Sequence, residues 1–336
     1  MASTMKAWQY TSLKGALENS ILLSNVTAPS KSSLSKDQIL VKVITAAINP
    51  ADYKLPESFL ARFLVKAPAI PSLDFCGRVL EAPGSNTFKP GQLVFGAFSL
   101  IVQQGTLGEI IAISSSEVAP LPSRVNVDDA AAVGTSGSTA YLALLPEIVK
   151  PGVKVSINGG GVGTVKNLFL CSHPRGTFSD SSGAVLFFNL PLPHIIYCDY
   201  KKVDLLSELE KRGPVFDNVG SAGFYEQGHK YLQPNGAFVQ VGIQTNLGSM
   251  GNLLKRVILP RILGGGSRLF TFVWVKSTTE DLTQIGEWMA EGKARSVIDS
   301  VFEIEDVPKA FEKLRTGRAK GKIVIHVGKQ YSSAQV

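Results

Sequence analysis

Apolar and polar positions alternate in short runs through the first third of the chain. MKAWQY (5–10) has the two-residue period of a strand. QILVKVITAAINP (38–50) has it too, rich in β-branched residues until Pro50 interrupts it. SLDFCGRVLEA (72–82) predicts a third strand. KPGQLVFGAF (89–98) predicts a Pro-Gly turn feeding a fourth, and residues 105–122 two short ones. Short strands divided by Gly and Pro turns predict a compact antiparallel barrel.

The period changes at Val127. VDDAAAVGTSGSTAYLALLPEIV (127–149) is Ala-rich and predicts a helix, with Asp128 and Asp129 near the end where a helix dipole favours acids. In KPGVKVSINGGGVGTV (150–165) a turn, an apolar strand over 153–157, a glycine cluster and a helix start follow in order. Residues 215–221 and 236–242 each read as a buried strand ending at Gly, and alternating strands and helices predict a parallel sheet. Farther on come a strand at 267–275, amphipathic helices at 280–294 and 305–321, and a last strand, KIVIHV (322–327).

One stretch breaks this regularity. After the glycines, TVKNLFLCS runs at once into His173-Pro174-Arg175-Gly176, which stops a helix after about two turns. AVLFF (184–188) reads as a strand, yet only about six residues separate it from HIIYC, whereas a parallel crossover needs at least ~10–12. Residues 166–197 are therefore expected not to complete a strand-helix-strand unit. Either the stretch is a mis-spliced or frame-shifted reading, or it is a diverged copy. Cys171, His173, His194 and Cys198 in the same stretch have metal-ligand spacing, but read more simply as loop residues.

Composition narrows the class. A chain of 336 residues suggests about two domains, and 44% hydrophobic with 18% charged residues is an ordinary globular balance that excludes a disordered or collagen-like protein. No apolar run reaches the ~18 residues of a membrane span, so no membrane association is expected. MASTMKAWQY lacks the apolar core of a secretory signal, and three Cys argue for a reducing compartment, so the expected location is cytoplasmic. The net charge of +7 comes from scattered Lys and Arg. It indicates no nucleic-acid groove; it is either a solvated surface or an attraction for an anionic cofactor or substrate.

The sharpest chemical feature is the strand, glycine cluster and helix start around Gly159, Gly160, Gly161, Val162 and Gly163. Glycine lets backbone N–H groups approach a pyrophosphate, and a helix N-terminus adds positive potential. Taken with MKAWQY, INPADYK, SLDFCGRV, KPGQLVFG, DAAAVGTSGSTAYLAL, FDNVGS and GKIVI in this order, the chain resembles the medium-chain dehydrogenase/reductase superfamily in its zinc-free quinone-oxidoreductase-like and enoyl-reductase branch. The resemblance covers most of residues 5–165 and 199–328. It implies an α/β fold: a GroES-like β-barrel domain over 1–125, a Rossmann doubly wound sheet binding NADP over 126–265 (atypical at 159–198), and a return to the catalytic domain over 266–336.

The implied activity is hydride transfer from NADPH to an electron-poor alkene, quinone or enoyl thioester, as in tailoring of secondary (polyketide) metabolites. A small-molecule partner is expected, with a homodimer left open. Zinc-dependent relatives place Cys where Asn49 stands and Gly-His-Glu where Ser72-Leu73-Asp74 stands, so no metal is expected. Asn49 and Tyr53 are the implied reacting-end residues. The alternatives are that Asn49 caps the turn after it and that Tyr53 is a half-buried barrel-edge aromatic. Asp52 reads as a turn residue. The implied cofactor contacts are Thr139, the glycine cluster, Tyr200, Asn218, Gly220, Gly242 and Lys322, each equally readable as a cap, a tight turn, packing or a surface Lys. The loop that relatives use for the 2′-phosphate has no clear counterpart; Arg175, Lys201 and Lys202 are candidates to substitute for it. The broken segment motivates a second reading, a catalytically impaired NADPH-binding or scaffold protein.

Overall fold

The computed structural model describes residues 3–13, 15–58, 66–84, 87–99, 103–143, 156–158, 215–217, 225–232, 236–241, 248, 251–252, 255–256, 269–273 and 276–328. In chain order the elements are β1 (Thr4–Gln9), β2 (Leu22–Thr27), β3 (Gln38–Ile48), α1 (Pro50–Glu57), β4 (Asp74–Glu81), β5 (Leu93–Ala97), β6 (Ile110–Ser114), β7 (Val118–Pro120), α2 (Val127–Ala143), β8 (Ser156–Asn158), β9 (Val215–Asp217), α3 (Gly228–Tyr231), β10 (Ala237–Gln240), β11 (Leu269–Phe272), α4 (Thr279–Ala290), β12 (Ile298–Glu303), α5 (Val307–Arg315) and β13 (Lys322–His326). The expected incomplete unit at 166–197 lies outside the described residues.

Strand β3 organises the larger sheet. Along one edge its first half pairs with β6, Gln38 opposite Ser114, and its second half with β13, Ile48 opposite Ile323. Along the other edge it pairs with β4, Ala47 opposite Asp74, and β5 and β7 continue outward. All these pairings are antiparallel; β12 joins β13 in parallel. The resulting seven-stranded sheet follows the order β12-β13-β3-β4-β5-β7 with β6 beside β3. The predicted barrel is thus an open sheet: among the described residues the path of paired strands does not return to its start. Strands alternate side chains between faces, and both faces are covered. Phe75, Val94 and Ile323 enter one core with Phe311 of α5. Their neighbours Cys76, Phe95 and Val324 enter another with Ala130 and Val133 of α2 and Leu282, Ile285 and Met289 of α4.

Local chemistry explains the helices. Leu282, Ile285, Gly286 and Met289 form the buried stripe of α4, whose N-terminus is capped by Thr278 accepting the Asp281 N–H at 3.1 Å. Helix α2 lies so close to β4 and β5 that a Cβ on Gly134 would come within 2.8 Å of the Gly96 carbonyl oxygen; only Gly permits that approach. The strand ends before Pro50 as expected, at Ile48, and Pro50 also opens α1, where its fixed φ and missing N–H are harmless.

Strands β8 to β11 form a separate four-stranded sheet of order β11-β10-β9-β8, parallel throughout. Its carboxyl ends, at Asn158, Asp217 and Gln240, therefore lie along one edge. Among the described residues no helix is long and apolar enough to cross a membrane.

Candidate functional site

The register of the larger sheet makes a buried polar cluster. In an antiparallel ribbon the end of a central strand lies beside the starts of both neighbours. The chain leaves β3 at Asn49, enters β4 at Asp74 and enters β13 at Lys322, so three polar side chains distant in sequence meet at one sheet end. Lys322 Nζ donates to Asn49 Oδ1 at 2.5 Å and to Asp74 Oδ2 at 2.8 Å. Asn49 Nδ2 donates to Asp74 Oδ2 at 2.9 Å. From α2, Thr135 donates its N–H to Asp74 Oδ1 at 2.8 Å and its hydroxyl to the same oxygen. Asn49, Asp74 and Lys322 are 4%, 0% and 2% exposed. Removing one member of such a buried pair strands the other and costs ~3–5 kcal/mol.

Asn49 is also the N-cap of α1. Its main-chain carbonyl accepts the Asp52 N–H at 3.0 Å, and Asp52 Oδ2 accepts the Asn49 N–H at 2.6 Å. The other Asp52 oxygen, Oδ1, is buried and has no partner among the described residues. Burial and then the neighbouring Asp74 carboxylate push the Asp52 carboxyl up to about 7. The chain reaches β4 through Ser72, whose φ of 77° is left-handed and whose hydroxyl donates to the Ala47 carbonyl at 3.2 Å.

The structure gathers some expected site residues and separates others. Asn49 and Lys322 are in direct contact. Lys322, expected near a cofactor, spends its ammonium on Asn49 and Asp74. Thr139 is buried one turn beyond Thr135 on α2 and donates its hydroxyl to the Thr135 carbonyl at 2.6 Å. Tyr53 stands apart from the cluster: its ring lies under the Arg315 guanidinium at 4.3 Å, and burial raises its hydroxyl above the ordinary tyrosine range. Gly159, Gly160, Gly161, Val162, Gly163, Tyr200, Asn218, Gly220 and Gly242 lie outside the described residues, as do the metal-like pairs at Cys171, His173, His194 and Cys198. Of these, Gly159 comes in sequence directly after β8, Asn218 and Gly220 after β9, and Gly242 after β10.

Sequence reasoning missed Asp74 as the centre of the cluster and passed over Lys54. The Lys54 ammonium is lowered by burial and has no ion-pair partner among the described residues. Its signal, a cation left without an anion on a helix that opens at Asn49, is tertiary. A zinc ion does not fit the cluster. Leu73 offers no donor atom, a lysine ammonium already contacts Asn49 and Asp74, and no group of three His, Cys, Asp or Glu side chains converges among the described residues.

Comparison with known proteins gives a consistent picture. Residues 35–123 match the alcohol dehydrogenase GroES-like domain, and residues 192–325 match a domain described as zinc-binding dehydrogenase. The chain is 37% identical to the trans-enoyl reductase pgmF of Aspergillus terreus, over 97% of both chains. It is 31% identical to the 2-methylene-furan-3-one reductase of Solanum lycopersicum, over 96% of this chain and 79% of that one. Among solved structures, the quinone oxidoreductase of Coxiella burnetii superposes with a TM-score of 0.78 over 97% of this chain and 100% of that one, at 22% identity.

Proposed function

The chain belongs to the medium-chain dehydrogenase/reductase superfamily, and we propose that it is a zinc-independent, NADPH-dependent reductase of electron-poor alkenes: enones, quinones or enoyl thioesters. The observation that carries this reading is the full-length similarity to a trans-enoyl reductase, with a furanone reductase also matched along the chain. The zinc-free part is supported by the chemistry of the cluster, where the Lys322 ammonium occupies Asn49 Oδ1 and Asp74 Oδ2 and Leu73 offers no donor atom. On this reading residues 1–125 and 266–336 form the catalytic unit and 126–265 the cofactor-binding one.

A bound nicotinamide would supply hydride. Residues Gly159 to Gly163, Tyr200, Asn218, Gly220 and Gly242 would hold the cofactor from the carboxyl edge of the parallel sheet, with Thr139 approaching it from α2. The chain's own work is then to place the alkene, to stabilise the oxygen that gains negative charge, and to deliver a proton to the α-carbon. Asn49 is assigned the oxygen. Lys54, on the helix that opens at Asn49 and with its ammonium lowered by burial, is assigned the proton. Tyr53 remains a second donor through its hydroxyl.

The test is a panel of simple enones, quinones and enoyl thioesters, with NADPH consumption followed and products identified. Saturated products from at least one class are expected. NADPH binding without turnover on any of them would instead favour a cofactor-binding or scaffold role.

A further inference from the structure

We propose that His326 is a proton-dependent clasp between the start of α2 and the larger sheet: protonated, it holds Asp128 through one ring nitrogen and Glu303 through the other; neutral, it keeps the first contact without charge and repels the second. The clasp stands apart from the reductase reading and does not depend on it.

The register of the sheet sets the row. His326 on β13 lies opposite Thr45 of β3 and opposite Glu303 of β12, and Thr45 in turn lies opposite Cys76 of β4. Asp128, in the first turn of α2, meets this row. Its Oδ1 accepts the Thr45 hydroxyl at 2.9 Å, and Oδ1 and Oδ2 stand 3.2 and 3.1 Å from His326 Nε2. On the other side of the ring, Nδ1 lies 3.4 Å from Glu303 Oε1. Thr45 is fully buried, so its hydroxyl has no water to turn to and holds Asp128 in place.

The proton dependence follows from what each group can do. A carboxylate only accepts, whereas a neutral imidazole has one N–H and one bare lone pair. Facing Asp128, Nε2 must carry a hydrogen. In the neutral ring Nδ1 is then the bare nitrogen, with its lone pair toward Glu303. Only the imidazolium, with N–H on both nitrogens, suits both neighbours, and its contacts to carboxylates are strengthened by charge. Histidine is the side chain whose charge changes in the neutral range. The stabilising contacts belong to the protonated form, so their contribution is present on the acid side of that change and lost as pH rises through it.

The surroundings leave the ring as the group that switches. The Cys76 thiol is raised by burial and then by Asp128, so it stays un-ionised across the neutral range. The cations Lys42 and Arg78 stand opposite each other farther along β3 and β4 and are exposed. Asp129 accepts from Asn126 and Ser296 instead. Helix α2 is tied to the sheet a second time, where Thr135 bonds Asp74 about two turns on, so opening the clasp frees the first turn alone.

The test compares wild type with His326→Gln, whose amide can still donate to Asp128 but does not titrate. Urea unfolding is measured near pH 5.5, where carboxylates are ionised and histidine is ordinarily protonated, and near pH 8.5, where histidine is neutral. Both proteins carry Asp52, so its titration cancels in the ratio of their folding constants. That ratio, wild type over variant, should fall about fivefold from the lower pH to the higher, the size expected of two partly exposed ion pairs. In a background of Asp128→Asn with Glu303→Gln, the same His326→Gln change should give one ratio at both pH values. A ratio that does not move in the native background, or that falls equally in the neutralised one, overturns the clasp. Should a variant fail to fold, amide exchange in wild type decides. Protection of residues 127–131, corrected for intrinsic rates and measured against α4 in the same sample, should drop about threefold between the two pH values. Protection that changes in parallel in the two helices overturns the clasp.

Discussion

At the scale of single residues, the cluster at the end of β3 carries an unequal charge load: two buried carboxylates face one ammonium. Asp74 receives hydrogen bonds from Lys322, Asn49 and Thr135, whereas Asp52 keeps one buried oxygen without a partner among the described residues. A carboxyl raised from an ordinary value near 4 to about 7 binds its proton more tightly in the folded state than in the unfolded one. Stability from this group is complete below the unfolded value and falls as pH rises through the folded one, over about three units or roughly 4 kcal/mol. Asp52→Asn imitates the protonated acid at all pH values. Its melting temperature, relative to wild type, should therefore rise between about pH 5 and pH 8; a constant difference across that range would show that Asp52 does not titrate there. Ser72 gives a second prediction. Its left-handed φ of 77° costs a residue with a Cβ roughly 1–2 kcal/mol. Ser72→Gly loses the hydroxyl bond to Ala47 but relieves the strain, while Ser72→Ala loses the bond and keeps the strain. Urea unfolding should find the Gly variant more stable than the Ala variant by about 1 kcal/mol, opposite to the usual order in regular structure.

At the scale of elements, Arg315 joins three pieces of chain. From the end of α5 it donates Nε and an NH2 hydrogen to the two oxygens of Glu18 at 2.6 and 2.7 Å, and reaches both oxygens of Glu57 on α1 at 2.5 and 3.2 Å. Glu57 also accepts the Leu17 N–H at 2.7 Å, and the guanidinium covers Tyr53. Tyr53 and Glu57 are four residues apart, so one face of α1 serves both contacts. The hydrogen bond from Arg315 comes first among the causes that hold the Glu18 carboxyl below its usual range. The contribution of Glu18 is then present above the usual carboxylate range and lost as pH falls below it. Arg315→Ala should destabilise by about 2 kcal/mol near neutral pH, with a smaller deficit near pH 3, and Arg315→Lys should recover only part because a point charge cannot serve both carboxylates in the same plane. A deficit of equal size at both pH values in chemical unfolding would show that packing on Tyr53, not charge, supplies the effect. The alternating and amphipathic elements, β3, β4, β5, α4 and β13, are those the residue pattern predicts. Strands β2 and β12 have no such forecast. Neither is buried along a full face, so neither needs a clean alternation.

For the whole molecule, zinc content and cofactor preference test the functional reading. With Leu73 and Lys322 at the cluster, the purified protein should carry no stoichiometric zinc by elemental analysis and keep its activity in a chelator. One zinc per chain would contradict the reading. Binding of cofactor to the folded state alone should raise the melting temperature, by an amount worth ~2.7 kcal/mol at a hundred times Kd. NADPH should do so at lower concentration than NADH, in line with the family resemblance and the +7 charge. Superimposable titrations of the two would count against NADPH specificity.

The sequence by itself was enough for the family, for an α/β architecture with a mainly antiparallel part and a parallel one, and for Asn49 and Lys322 as residues worth attention, because hydrophobic period, turn residues and motif order are local properties that survive without coordinates. What Asn49 and Lys322 do to each other was decided only by the tertiary structure. They are 273 positions apart. Nothing local announces that β13 returns beside β3 in the register that sets Lys322 against Asn49 and Asp74. The open larger sheet, the isolation of Tyr53 under Arg315 and the burial of Asp52 and Lys54 have the same origin: strand pairing and desolvation are relations between distant segments, and a residue acquires its chemistry from the neighbours that those relations bring.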